Sequence, residues 1–86
     1  MKGGIKLAED IKVDSTLDCK GLVCPEPIVK TNMAIKKLQV GQVLVMESTD
    51  AGATSDMHSW AKRTGHQLLK EEASGNVLKF YVKKMK

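Results

Sequence analysis

Aromatic residues are nearly missing from this chain. Trp60, Phe80 and Tyr81 are the whole set in 86 residues. Surfaces that hold single-stranded nucleic acid stack bases on aromatic rings, so this is a thin supply for that role. Long apolar runs are missing too, and nothing approaches the roughly 18 residues that a membrane-spanning helix needs. The opening Met1-Lys2-Gly3-Gly4-Ile5-Lys6 carries charge but no apolar stretch of the kind a secretory leader has. The expectation is a cytoplasmic protein with no membrane association. Cysteine is scarce, with only Cys19 and Cys24, which is too little for a disulfide scaffold. No metal site is expected. The Cys-x4-Cys spacing is loose, and seven residues separate His58 from His66, which fits no zinc pattern.

What is present describes a small folded domain. Hydrophobic residues make up 42% and charged residues 28%, a balance that excludes wholesale disorder. A chain this short buries only about two thirds of its unfolded surface, so its core is thin. The net charge of +4 is mild, and the basic Lys83-Lys84-Met85-Lys86 reads as a solvated end. Direct nucleic-acid binding is therefore not expected, and the default state is a monomer.

Residues 1–10 read as a flexible N-terminal extension and 11–86 as a single domain. From Ile11 the pattern alternates. Ile11, Val13, Ser15, Leu17 and Cys19 share one parity, which predicts a half-buried strand. Lys20-Gly21 breaks it. Cys24-Pro25-Glu26-Pro27 then opens a helix, with Cys24 as N-cap and both prolines in the first turn, where a missing N–H costs nothing. At 100° per residue Ile28, Thr31, Ala34, Ile35 and Leu38 form the core stripe, and Val29 and Met33 flank it. The helix is expected to end near Gln39. Gln42–Glu47 is a continuous apolar strand, central in its sheet. Ala53–Thr64 is a second helix with Met57, Trp60 and Ala61 on one face and Gly65 as its C′ residue. His66–Ala73 and Asn76–Lys83 are strands joined by a turn at Ser74-Gly75. The expected fold is α/β (α+β): a βαβαββ two-layer sandwich, with a four-stranded mixed sheet and two helices on one face.

One stretch points to chemistry. Gly21-Leu22-Val23-Cys24-Pro25-Glu26-Pro27 places a thiol where a loop enters a helix. Helix N-termini favour anions and lower cysteine pKa values, which predicts a reactive thiolate at Cys24. Neither His58 nor His66 has a recognisable orienting partner, so hydrolytic cysteine chemistry is not expected. A carrier that accepts a sulfur atom as a persulfide and passes it on needs only one exposed thiol beside a docking surface.

The stretch Leu17-Asp18-Cys19-Lys20-Gly21-Leu22-Val23-Cys24-Pro25-Glu26-Pro27 resembles the signature of the TusA/SirA-like sulfur-carrier family, with its CPxP motif. The likeness runs from about Thr16 to Lys84. It implies the same βαβαββ sandwich and a persulfide-carrying cysteine, a sulfurtransferase-like carrier rather than a complete stand-alone enzyme. Cys24 matches the carrier cysteine, Pro25 and Pro27 its flanking prolines, and Asp18 and Gly21 the turn before it. Asp50 and Asp56 match acidic positions near the second helix. Glu26 belongs to the same supporting set. No cofactor is implied beyond transient covalent sulfur on Cys24. The implied partners are a protein donor (a cysteine desulfurase or rhodanese-like protein) and a protein acceptor serving tRNA thiolation, cofactor sulfuration or sulfur oxidation. The chain departs from the pattern at Ala51-Gly52, where the family often has a proline, and at Cys19, whose position the family does not fix.

Simple packing explains several of these residues. Strand parity points Cys19 to the core, although it is also the candidate second thiol. Asp18, Asp50 and Asp56 read as turn and cap residues, and His58 and His66 as surface or strand-end residues. Val29 and Met33, with Lys20, Lys30, Lys36 and Arg63, are candidates for a docking face. Two other readings stay open: a dithiol redox protein using Cys19 and Cys24, and a non-catalytic module that binds RNA or a regulator.

Overall fold

The computed structural model of the chain describes residues 12–86. The elements run β1 (Ser15–Cys19), α1 (Glu26–Lys36), β2 (Val43–Ser48), α2 (Ala53–Thr64), β3 (Gln67–Ser74) and β4 (Val77–Lys83). The order is the expected βαβαββ, with shifted boundaries. Among the described residues the first strand begins at Ser15, so Val13 lies before it; Ile11 and the 1–10 extension lie outside the described residues. Just before it, Asp14 donates its N–H to the Val43 carbonyl at 2.9 Å. Its carboxylate accepts the Val43 N–H at 2.9 Å, so a side chain takes the place of a ladder bond. The first helix starts later and ends earlier than the periodicity suggests. Pro25, not Cys24, is its N-cap, with no side-chain cap bond. Its end is tightened by i→i−3 bonds from Lys37 to Ala34 and Leu38 to Ile35, both 3.1 Å. Leu38 thus leaves the helix yet still packs on the core. The final hairpin turns on Gly75-Asn76, with Gly75 at φ 61°, one residue later than expected.

The sheet order is β1-β2-β4-β3, so β2 is interior as its apolar run predicts. Strand β2 pairs in parallel with β1 and antiparallel with β4, and β3 pairs antiparallel with β4. Leu44, Met46 and Ser48 face the helices in register with Val82, Phe80 and Leu78. Val43 and Val45 are buried too, so β2 is covered on both sides. The outer face is polar, with Lys20 paired to Glu47 and Lys70 to Glu72, and the Tyr81 hydroxyl donating to Glu72.

The helices close the other face. α2 buries Ala53, Met57, Trp60 and Ala61, at i, i+4, i+7 and i+8. It stops at Gly65, whose φ of 86° is left-handed and whose N–H caps Ala61. α1 buries Pro27, Thr31 and Ile35. The Thr31 hydroxyl can face the core because it donates to the Pro27 carbonyl at 2.7 Å. Pro27, expected as a flank of the thiol, is therefore a core residue. Trp60 is the largest fully buried side chain, and its indole N–H reaches Asn32 Oδ1 at 3.4 Å.

Because β1 and β2 are parallel neighbours, both chains leave the sheet at the same edge. Cys19 lies opposite Ser48, so the loop from Lys20 to Pro25 emerges beside the loop from Thr49 to Gly52. Burial at the core sets a stability contrast. Trp60→Ala should cost about 3–5 kcal/mol, the usual range for a large buried aromatic. Met33→Ala on the exposed flank should stay within about 0.5 kcal/mol. Urea denaturation followed by circular dichroism measures both.

Candidate functional site

Cys24 is exposed and Cys19 is buried, and both thiols are free. Cys19 closes β1 with no exposed surface, as its parity predicts. The turn that follows is tight. Asp18 accepts the Lys20 N–H at 2.9 Å, the Leu22 N–H returns to the Cys19 carbonyl at 3.1 Å, and Gly21 takes φ 84°. Leu22 packs against the core and fixes the loop from below. Asp18 and Gly21 thus build the turn that the sequence assigns to them. The Glu26 N–H then bonds to the Val23 carbonyl at 2.9 Å, and Glu26 is exposed in the first turn of α1. The Cys24–Pro25 peptide is cis.

Two hydrogen bonds cross from this loop to its neighbour. Gly21 donates its N–H to Thr49 Oγ1 at 2.9 Å. Cys24 donates its N–H to Asp50 Oδ2 at 3.2 Å. Asp50 also fulfils the turn role expected of it. Its Oδ1 accepts the Gly52 N–H at 3.1 Å, and its carbonyl accepts the Ala53 N–H at 3.0 Å. Its own N–H donates to the buried Ser48 Oγ at 3.1 Å. The Ala51-Gly52 stretch is therefore tied down by Asp50, and Gly52 is the N-cap of α2.

The electrostatics overturn one expectation. The Cys24 thiol is not acidified but pushed above the ordinary thiol value. The chief cause is the Asp56 carboxylate, which accepts the thiol proton in a hydrogen bond; desolvation and the charges of Asp56 and Asp50 act in the same direction. Cys24 lies before the N-cap, and Pro25 and Pro27 remove two of the donors that would have stabilised a thiolate. Asp56, in the first turn of α2, thus does more than complement a helix dipole. The Cys19 thiol is also raised, mainly by burial, with Lys30 opposing.

The candidate docking residues separate. Val29 and Met33 are 52% and 59% exposed, and Val23 beside the thiol is 65% exposed. Lys30 and Met33 line a groove with Ser15, Leu17, Ala34, Lys37 and Leu38. Lys20 instead reaches Glu47 at 3.3 Å on the outer sheet face. His58 pairs with Glu71 at 2.6 Å. His66 stacks near Trp60 and accepts the Met85 N–H at 3.1 Å, so neither histidine serves the thiol. No group of described residues is arranged to hold a metal ion. No helix among them is long and apolar enough to cross a membrane. Thr49 is a site residue that neither periodicity nor motif marks. Its signal was a Ser-Thr-Asp run directly after an interior strand.

The raised thiol has a pH consequence. The thiolate fraction of Cys24 at neutral pH lies below that of free cysteine. Asp56→Ala removes the hydrogen bond and the charge, so the rate–pH profile for alkylation of Cys24 should move to lower pH. Stopped-flow alkylation between pH 6 and 10, in a Cys19→Ser background, reads the shift; an unmoved profile rejects the role given to Asp56.

Comparison with known proteins agrees with this architecture. A solved SirA-like protein from Desulfitobacterium hafniense superposes with a TM-score of 0.73 at 22% identity, covering 84% of this chain and 99% of that one, which establishes a shared fold. The sulfur carrier protein TusA of Allochromatium vinosum is 37% identical over 71 residues, 83% of this chain and 93% of that protein. YrkI of Bacillus subtilis, which bears a provisional sulfur-carrier name, is 46% identical over 74 residues, 86% of this chain and 99% of its own. YrkF of the same organism is 47% identical, but the matched region is only 40% of its length. The family model described as Sulfurtransferase TusA matches residues 15–84. The chain belongs to the TusA sulfurtransferase family.

Proposed function

We propose that the protein is a sulfur carrier in which Cys24 takes a sulfane sulfur from a donor protein as a persulfide and passes it to an acceptor protein. The observation that carries this reading is the placement of Cys24. It is the exposed thiol of the pair, held on a tied loop at the edge of the sheet, in a chain whose relatives are named as sulfur carriers. The transfer is a sulfur exchange without net oxidation. The Cys24 sulfur attacks the outer sulfur of the donor persulfide, a new S–S bond forms, and the donor S–S bond breaks. Cys24–SH and R–S–SH become Cys24–S–SH and R–SH, the proton ending on the departing donor sulfur. An acceptor thiolate then repeats the exchange and Cys24 leaves with its electron pair. Such a step needs no cofactor and no acyl-transfer machinery, which suits a small domain with one accessible thiol.

Asp56 adds a condition to this scheme. A thiol held protonated at rest reacts slowly with electrophiles in solution, and it gains nucleophilicity where the carboxylate is drawn away or neutralised. The family resemblance makes tRNA thiolation, cofactor sulfuration and sulfur oxidation the destinations to test.

Intact-protein mass spectrometry after incubation with a cysteine desulfurase, pyridoxal phosphate and cysteine tests the reading. The expected adduct is one sulfur, about 32 Da and removed by reductant, on the wild type and on Cys19→Ser but not on Cys24→Ser. A loss of about two mass units that requires both cysteines would replace the carrier with a dithiol redox protein.

A further inference from the structure

Four contacts at the sheet edge form one construction. Thr49 and Asp50 follow directly on β2, and each accepts an N–H from the cysteine loop, at Gly21 and Cys24 respectively, across 28 and 26 residues of sequence. Asp50 is itself held from two sides. Its N–H rests on Ser48 Oγ, which is fully buried, and its second carboxylate oxygen takes the Gly52 N–H. The N-cap of α1 makes no side-chain bond, and the loop's own ends are held through Asp18 and the Glu26 N–H. Between those ends, the Gly21 and Cys24 N–H groups are held by side chains of the neighbouring loop.

We infer that Thr49 and Asp50 are positioning residues for sulfur transfer: they clamp the Cys24 loop so that the sulfur is presented to a partner protein in one fixed direction. The inference rests on Cys24 being the carrier thiol. Neither residue touches the reacting sulfur in this role, because each acts through a backbone N–H. The clamp matters most when the reaction partner is another protein. A small electrophile approaches a mobile thiol from any side, whereas a persulfide carried on a protein surface meets it along one line. Misplacement of a reacting atom by about an ångström can cost on the order of 100-fold in rate.

This separates the clamp from an effect on thiol acidity. The Asp50 charge opposes thiolate formation, so Asp50→Asn favours the thiolate while weakening the clamp. An asparagine has one acceptor oxygen, and the local turn bond to Gly52, two residues on, retains it, which leaves the Cys24 N–H facing the side-chain NH2 group. Thr49→Val weakens the clamp without altering charge, and Thr49→Ser retains the hydroxyl.

The experiment measures three quantities on the full chain and these variants, with Cys24→Ser as the loading control. They are the rate of sulfur uptake from a desulfurase persulfide, the rate of alkylation by iodoacetamide at pH 7, and the hydrogen exchange of the Gly21 and Cys24 amides by NMR. Thr49→Val and Asp50→Asn should lose roughly 10-fold or more in uptake. Alkylation should stay within about twofold for Thr49→Val and hold or rise for Asp50→Asn. The Gly21 amide should exchange faster in the first variant and the Cys24 amide in the second. Thr49→Ser should restore uptake. The inference is overturned if both variants take up sulfur at the wild-type rate, or if uptake in Asp50→Asn rises in step with alkylation. If the wild type itself takes up no sulfur, the carrier reading fails, and amide exchange alone decides the clamp: unchanged exchange in both variants rejects it.

Discussion

The parallel pairing of β1 with β2 is the contact on which the site depends. A parallel neighbour cannot be reached by a tight turn, so α1 has to carry the chain back across the sheet. Its consequence is that two loops far apart in sequence leave from one edge. The register sets which residues meet there, with Cys19 opposite Ser48. A slip by one residue would turn Cys19 and Leu17 outward and move Thr49 and Asp50 away from the loop they hold. The apolar side of the sheet forbids that slip, because Leu44, Met46 and Phe80 have to stay under Trp60, Met57 and Ile35. Core packing thus fixes the geometry of a loop that is itself solvent-exposed.

The charge arrangement at the thiol shows which of two effects prevails. A helix N-terminus supplies about half an elementary charge, spread over free N–H groups. Here that charge is diluted by two prolines, and the cysteine lies outside the N-cap. Against it stands a full negative charge on Asp56 in hydrogen-bond contact with the thiol, with Asp50 close by. The carboxylates outweigh the partial charge of the helix end, so the thiol is pushed above its ordinary value. The familiar association of a helix start with an activated cysteine presupposes that no carboxylate is folded in from elsewhere.

Most of the fold was legible because it rests on local pattern. The alternation through Ser15, Leu17 and Cys19, the apolar run of β2 and the spacing of Met57, Trp60 and Ala61 each name a buried face. Element ends were read less well. Leu38 packs on the core like a helical residue, so periodicity extends α1 past the point where i→i−3 bonds close it. Pro27 looked like part of the thiol's frame, yet burial makes it part of the core. At the site, Cys24 and the turn at Asp18 and Gly21 were readable from neighbouring residues. The bonds from Thr49 and Asp50 were not, since they depend on strand order, and strand order is a property of the whole sheet.

The burial of Cys19 bears on the fate of any sulfur that Cys24 carries. A persulfide beside a second accessible thiol is chemically leaky. The second thiolate can attack the inner sulfur, expel hydrosulfide and leave a disulfide, so that cargo is lost and the carrier is blocked. Cys19 lies only five positions upstream, but it is sealed at the end of β1 with its thiol raised by burial. The strand that positions the loop therefore also keeps the chain's second thiol sealed away from any sulfur that Cys24 would carry.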